Sequence, residues 1–137
     1  MRAPGILIAA AWLAGCGGGP AIEITDLTLN NAPPTAPMRA GYLSITNNSD
    51  TDVRLVSARS SAFGKIEFHR SSTVDGQARM RREESVPIAA GDKVVLEPFG
   101  LHLMLMIPAQ PPIADAKVAV ELCFDNASCL TSRVTTP

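Results

Sequence analysis

Eleven prolines and ten glycines interrupt this chain of 137 residues so often that few stretches are long enough for a helix. The runs between them are rich in β-branched and other apolar residues, and several alternate apolar with polar side chains, which is the pattern of a strand. No window keeps the periodicity of an amphipathic helix. Strands are predicted at residues 22–29, 41–46, 53–58, 65–69, 77–84, 93–96, 101–107, 117–124 and 129–135.

Short strands separated by turns at this spacing favour an all-β fold, in which antiparallel strands form a sandwich or a barrel. The length fits a single domain, which we predict at residues 22–137. Residues 30–37 are predicted as a loop, 71–76 as a turn and 86–92 as a link between strands. A formal net charge of -1, without a basic stripe, argues against nucleic acid as a partner.

The first residues have the pattern of an export signal. Arg2 precedes a short apolar run, and small residues then lead to Cys16, as at a cleavage site. The stretch resembles the signal of a bacterial lipoprotein, so residues 1–15 are predicted to be a signal peptide and Cys16 to be lipidated. Residues 16–21 would be a flexible tether in the periplasm. Glycine rather than aspartate at position 17 resembles the sorting pattern of lipoproteins anchored in the outer membrane. A plain secretory signal with an incidental cysteine is the alternative.

Two further cysteines, Cys123 and Cys129, flank a turn at Asp125 and Asn126. Two cysteines in an oxidising compartment normally pair, so a disulfide that closes a hairpin is predicted. The alternative is that they bind copper. It is less favoured because neither cysteine has a histidine or methionine at a local ligand spacing.

The candidate metal ligands are His69, Met80, His102 and Met104, which include both histidines and two of the five methionines of the chain. Two imidazoles and two thioethers form a soft, uncharged ligand set, which suits Cu(I) better than zinc, calcium or magnesium. Thioethers also escape the loss to disulfides that threatens thiolates outside the cytosol. A methionine is more often a core residue than a ligand, so the joint spacing carries the prediction rather than any one residue.

Strand geometry predicts how some of these residues are arranged. Alternate side chains share a face, so His102, Met104 and Met106 should lie on one side of their strand. The leucines between them and Ile107 should fill the core. Met106 is a candidate auxiliary sulfur, although packing is its favoured role.

The first two ligands should approach each other through a hairpin. His69 is expected at the end of its strand, where a loop can present it, and Met80 on the following strand. Arg79, Arg81 and Arg82 surround Met80 in the sequence. A solvated strand face is the favoured interpretation of these arginines, and a docking patch for an acidic partner is the alternative.

The spacing His69-x10-Met80-x21-His102-x-Met104 resembles the motif of the periplasmic copper chaperones of the PCuAC type. Further stretches that resemble the family lie at residues 40–47, 86–91 and 99–106. The resemblance implies a cupredoxin-like Greek-key β-sandwich that binds one Cu(I) through these four residues. It also implies transfer of copper to an acceptor in the cell envelope, either a cytochrome oxidase subunit whose copper site is being assembled or another copper chaperone.

Two positions depart from the family. Many relatives have methionine directly after the first histidine, where this chain has Arg70, and some have a tail rich in histidine and methionine, which residues 130–137 lack. No catalytic motif is found, so the protein is not expected to be an enzyme. An electron-transfer cupredoxin, which would need a cysteine thiolate beside histidines, and a metal-free β-sandwich lipoprotein are the alternative functions.

Overall fold

The computed structural model describes residues 18–33, 35–110 and 115–137. The predicted signal peptide and its lipidation site Cys16 lie outside the described residues. The described part of the chain contains no helical segment that could span a lipid bilayer. The regular elements of this part of the chain are the strands β1 (Ile22–Leu29), β2 (Met38–Asn47), β3 (Val53–Arg59), β4 (Phe63–Val74), β5 (Gln77–Glu83), β6 (Val86–Ile88), β7 (Lys93–Leu96), β8 (Leu101–Pro108), β9 (Lys117–Phe124) and β10 (Cys129–Thr135).

The strands form two antiparallel sheets. The first sheet has the order β1-β2-β8-β4-β5, with β7 also paired to β2, and the second has the order β10-β9-β3-β6. Apolar side chains from both sheets fill the space between them, and those with no exposed surface include Leu55, Leu103, Leu105, Val120 and Leu122. The predicted all-β, cupredoxin-like antiparallel architecture is therefore confirmed.

The hairpin of β4 and β5 is longer than predicted. β4 continues to Val74, so residues 71–74 belong to a strand and His69 lies inside it, not at its end. The turn consists of Asp75 and Gly76 alone, whose φ angles of 51° and 75° are both positive. A two-residue Asp-Gly turn of this kind matches the twist of the flanking strands, so the pairing extends right up to it.

Two other predictions about the strands are wrong. Residues 86–92 are not only a link, because β6 forms within them by pairing with β3. Ile107 is not a core residue, because its φ of 57° breaks the alternation of side chains along β8. Its side chain is therefore exposed instead of buried.

Candidate metal centre

The candidate ligands lie on the side of the first sheet that faces away from the second sheet, which we name the donor face. Leu103 and Leu105 of β8 point into the core, so the residues that alternate with them point to the donor face. His102 and Met104 are nevertheless only 4% and 8% exposed. The centre of the sheet therefore holds two potential ligands in a sheltered position.

The register of β4 against β8 brings three of the four candidates together. His69 stands directly opposite His102, and Met104 follows two residues later on the same side of β8. The two imidazole rings have centroids 6.1 Å apart and are tilted by 58°. Met104 lies about 7 Å further along the strand, the spacing of alternate residues. Two imidazoles and one thioether thus share one patch of the donor face.

Met80 lies apart from this patch. It is opposite Ser71 on β5, the edge strand, so it is a diagonal neighbour of His69. Strand spacings put its Cα about 16 Å from that of Met104, whereas diagonal neighbours are about 7 to 8 Å apart. The side chain is 54% exposed. A site that uses all four ligands needs the Met80 side chain, or the end of the hairpin, to close over the histidines.

The hydrogen bonds of His69 leave one of its nitrogens free. Nε2 lies 2.9 Å from Oε2 of Glu67, whereas Nδ1 is buried and has no hydrogen-bond partner among the described residues. Hydrogen bonds from Lys65 and then from His69, together with the nearby Arg82, lower the pKa of Glu67 to about 2. An ionised carboxylate only accepts hydrogen bonds, so Nε2 carries a hydrogen, and in the neutral form of the ring Nδ1 keeps its lone pair. A buried lone pair without a partner is costly, and a soft cation would satisfy it.

His102 offers the other type of nitrogen. Its Nδ1 lies 3.0 Å from the carbonyl oxygen of Gly100, which also accepts a hydrogen bond from the backbone of Ser71. A carbonyl cannot donate, so Nδ1 carries the hydrogen and Nε2 has the lone pair. Such hydrogen bonds are typical of the groups that fix the orientation of histidine ligands. Two oriented neutral imidazoles beside a thioether fit Cu(I).

Sequence reasoning missed Glu67 and did not foresee that Arg82 lies beside His69. Glu67 lies two residues before His69 in the same strand, and period-two alternation could have placed it on the donor face. Arg70, the departure from the family pattern, points to the other face and pairs with Glu83. Arg82 is the cation opposite His69, and it pairs with Glu67.

The cysteines lie in the second sheet. Cys123 and Cys129 face each other in β9 and β10, with Cα atoms 4.1 Å apart, and their sulfurs are joined in a disulfide. A carboxylate oxygen of Glu121 is close to both sulfurs. Sulfurs that are bonded to each other have no thiolate to offer, so this group lacks the chemistry of a copper site.

Comparison by sequence relates the chain to lipoproteins. The family model described as "Putative lipoprotein LpqE-like" matches residues 22–136. The "Putative lipoprotein Lxx21020" of Leifsonia xyli subsp. xyli (strain CTCB07) is 29% identical over 137 residues, which are 99% of this chain and 70% of that protein.

Solved structures share the fold. The copper-bound PCuAC domain from PmoF2 has a TM-score of 0.71 and 20% identity, over 85% of this chain and 92% of that one. The solution structure of CuI-DR1885 from Deinococcus radiodurans has a TM-score of 0.69 and 26% identity, over 93% of this chain and 85% of that one. The predicted resemblance to the PCuAC type is confirmed by these matches.

Proposed function

This chain belongs to the LpqE-like family, and from its fold and the residues of its donor face we propose that it binds Cu(I) and transfers it to a partner. The observation that carries the proposal is the pairing of His69 with His102 beside Met104. Each histidine has one nitrogen beside an acceptor, and the buried Nδ1 of His69 has no partner among the described residues. CuI-DR1885 and the copper-bound PCuAC domain, both similar in fold, support Cu(I) as the cargo.

The binding mode follows from the different positions of the ligands. His69, His102 and Met104 are already close together without the metal. Met80 completes the ligand set when its side chain moves from the edge strand towards the histidines. Because Met80 is the exposed member, it is the ligand that a partner replaces first. A neutral thioether leaves without taking up a proton, so copper can pass to the partner by stepwise exchange of ligands.

Transfer fits this chain better than electron transfer or catalysis. A blue-copper site requires a cysteine thiolate among its ligands. The sulfurs of Cys123 and Cys129 are bonded to each other in the second sheet, away from the donor face. Copper therefore enters and leaves as the same ion, and the protein acts as a carrier rather than as an enzyme.

The place of action follows from the N-terminal segment. We propose that residues 1–15 are removed and that lipidated Cys16 anchors the protein to an envelope membrane, the outer one if Gly17 acts as a sorting residue. The lipoprotein names of its relatives support the anchor. Acyl chains on Cys16 would hold the domain at the membrane, and replacing Cys16 with serine should release it into the soluble fraction.

The recipient is proposed from the resemblance to the PCuAC type. A cell without this protein should lose cytochrome oxidase activity when copper is scarce and regain it when copper is added. The wild-type gene should restore the activity at low copper, and a His69→Gln, His102→Gln gene should not. Equal restoration by both genes would argue against copper delivery through these residues.

Binding itself is tested by titration of the non-acylated protein with Cu(I) under anaerobic conditions, against a chromophoric chelator. One tightly bound ion per chain is expected, with little competition from Zn(II). His102→Gln keeps a donor for the Gly100 carbonyl but removes the ligand nitrogen, and it should weaken binding by more than tenfold. Arg133→Ala in β10 is the control and should bind like the wild type. Binding far below one ion per chain would refute the function.

A further inference from the structure

The methionines of this chain are gathered on one face of one sheet. Of five methionines, Met1 lies outside the described residues, and the other four lie on the donor face. Met38 of β2 is directly opposite Met106 of β8, and Met106 follows Met104 by two residues. The proposed Cu(I) site uses only Met80 and Met104, so Met38 and Met106 have no role in it.

Together with the histidines, these side chains form a continuous line across four strands, which we name the donor track. Successive residues of the track are neighbours in the sheet: they face each other on paired strands, lie diagonally across paired strands, or are two residues apart on one strand. The order along the track is Met38, Met106, Met104, His102, His69 and Met80. Its two ends are 45% and 54% exposed, and its centre is buried.

Core packing does not explain the track. Methionine commonly fills gaps between apolar side chains. The cluster between the two sheets consists of leucine, isoleucine, valine, phenylalanine and alanine, and includes no methionine. Met38 in particular has almost half of its surface exposed, at a strand position where a polar side chain would be better solvated.

The charges around Met38 and Met106 permit a monovalent cation. Lys65 stands opposite Met106 on β4, but its ammonium group forms an ion pair of 2.6 Å with Glu67. Arg39, next to Met38, lies on the opposite face and donates to the carbonyl oxygens of Asn30 and Ala32. The charge of Lys65 is thus partly balanced by Glu67, and the guanidinium group of Arg39 lies on the face away from the two sulfurs.

We propose that Met38, Met106 and Met104 form a second and weaker Cu(I) position, through which the ion reaches or leaves the histidine pair. This inference rests on the proposed function. Opposite Cβ atoms lie about 5 Å apart and alternate residues about 7 Å, so each step is short. The ion gains a new sulfur before it gives up its previous ligand. Copper remains Cu(I) throughout, and the neutral thioethers exchange no protons or electrons.

Methyl signals of the methionines test the second position directly. The full-length chain with Cys16→Ser, labelled at the methionine methyl carbons, is titrated with Ag(I), a soft monovalent ion that does not change its oxidation state. The Met104 and Met80 signals should shift with the first equivalent, and the Met38 and Met106 signals with the next. Unchanged Met38 and Met106 signals up to several equivalents would overturn the second position. If the Met80 and Met104 signals also stay unchanged, the proposed function itself fails.

The rate of copper exchange tests the path. The double variant Met38→Leu, Met106→Leu nearly keeps the side-chain volumes but removes both sulfurs. The Cu(I) affinity should stay within about twofold of the wild-type value, while uptake from and release to a chelator both slow by about tenfold. This is the result expected when the free energy of the transition state rises and those of the free and bound states do not. Val56→Leu, at a similarly exposed position in the second sheet, is the control and should leave both rates unchanged.

The exposed Met38→Leu variant keeps the test valid if the Met106 change disturbs folding. It should slow both rates on its own. Wild-type rates in Met38→Leu and in a folded double variant would overturn the path. A lower Cu(I) affinity, with uptake and release changed by different factors, would instead indicate that these methionines are ligands of the first ion.

Discussion

Replacing Glu67 tests how the donor face prepares His69 for copper. The carboxylate accepts the hydrogen of Nε2 at 2.9 Å and so leaves Nδ1 as the ligand atom. The hydrogen bond selects one of two tautomers and one of about six ring orientations, so its loss dilutes the competent form by about tenfold. Removal of the charge would also leave Lys65 and Arg82 uncompensated beside the ion. Groups that orient metal ligands typically contribute about 10- to 100-fold in affinity.

Three variants separate these contributions. Glu67→Ala removes acceptor and charge, and should bind Cu(I) about 10- to 100-fold more weakly than the wild type. Glu67→Gln keeps an oxygen that can accept from Nε2, so its affinity should lie between those of the wild type and the alanine variant. Glu84→Gln changes an exposed carboxylate outside the hydrogen-bond network and should bind normally.

Two measurements check this reasoning. Anaerobic competition with a chromophoric chelator gives the affinities, and nitrogen-detected NMR of the apo protein gives the tautomer of His69. The hydrogen should be on Nε2 in the wild type and should lose this preference in Glu67→Ala. Wild-type affinity in Glu67→Ala, or a hydrogen on Nδ1 in the wild-type protein, would refute the proposed role of Glu67.

Two predictions concern stability. Phe99 has a φ of 65° and is 94% exposed, so Phe99→Gly should raise the free energy of unfolding by about 1 kcal/mol by relieving left-handed strain. Thermal unfolding measures this effect, and Phe99→Ala, which keeps the Cβ atom, should show no such gain. Reduction of the disulfide, whose cysteines are six residues apart, should lower the free energy of unfolding by about 2 kcal/mol, because it releases a closed loop of the unfolded chain. Urea unfolding with and without reductant measures that loss, and the Cu(I) affinity should not change.

The fold was predictable because its signals are local. Alternation in residues 101–107 identified β8 and its two faces, and β9 and β10 begin and end at the predicted residues. Some of the errors arose where pairing with another strand, and not the local pattern, decides the structure. β6 exists because β3 pairs with it. The start of β4 pairs with β8, and its extension to Val74 pairs with β5 in a hairpin.

The ligand residues were predictable only as a set, because spacing along the chain does not give distances across a sheet. The register that sets His69 opposite His102 joins residues far apart in sequence, and only the structure shows it. The pairing of β5 with β4 at the end of the sheet leaves Met80 on the edge strand. A motif specifies which residues bind, whereas the strand pairing determines which of them are already in place.

The most direct test of the account is X-ray absorption at the copper edge of the Cu(I)-loaded protein. Nitrogen atoms from two imidazoles and sulfur atoms from two thioethers are expected around one ion. Met80→Leu and Met104→Leu should each remove one sulfur. A coordination shell of only oxygen and nitrogen would contradict a copper site on the donor face. So would a sulfur signal that persists when Met38, Met80, Met104 and Met106 are all replaced with leucine.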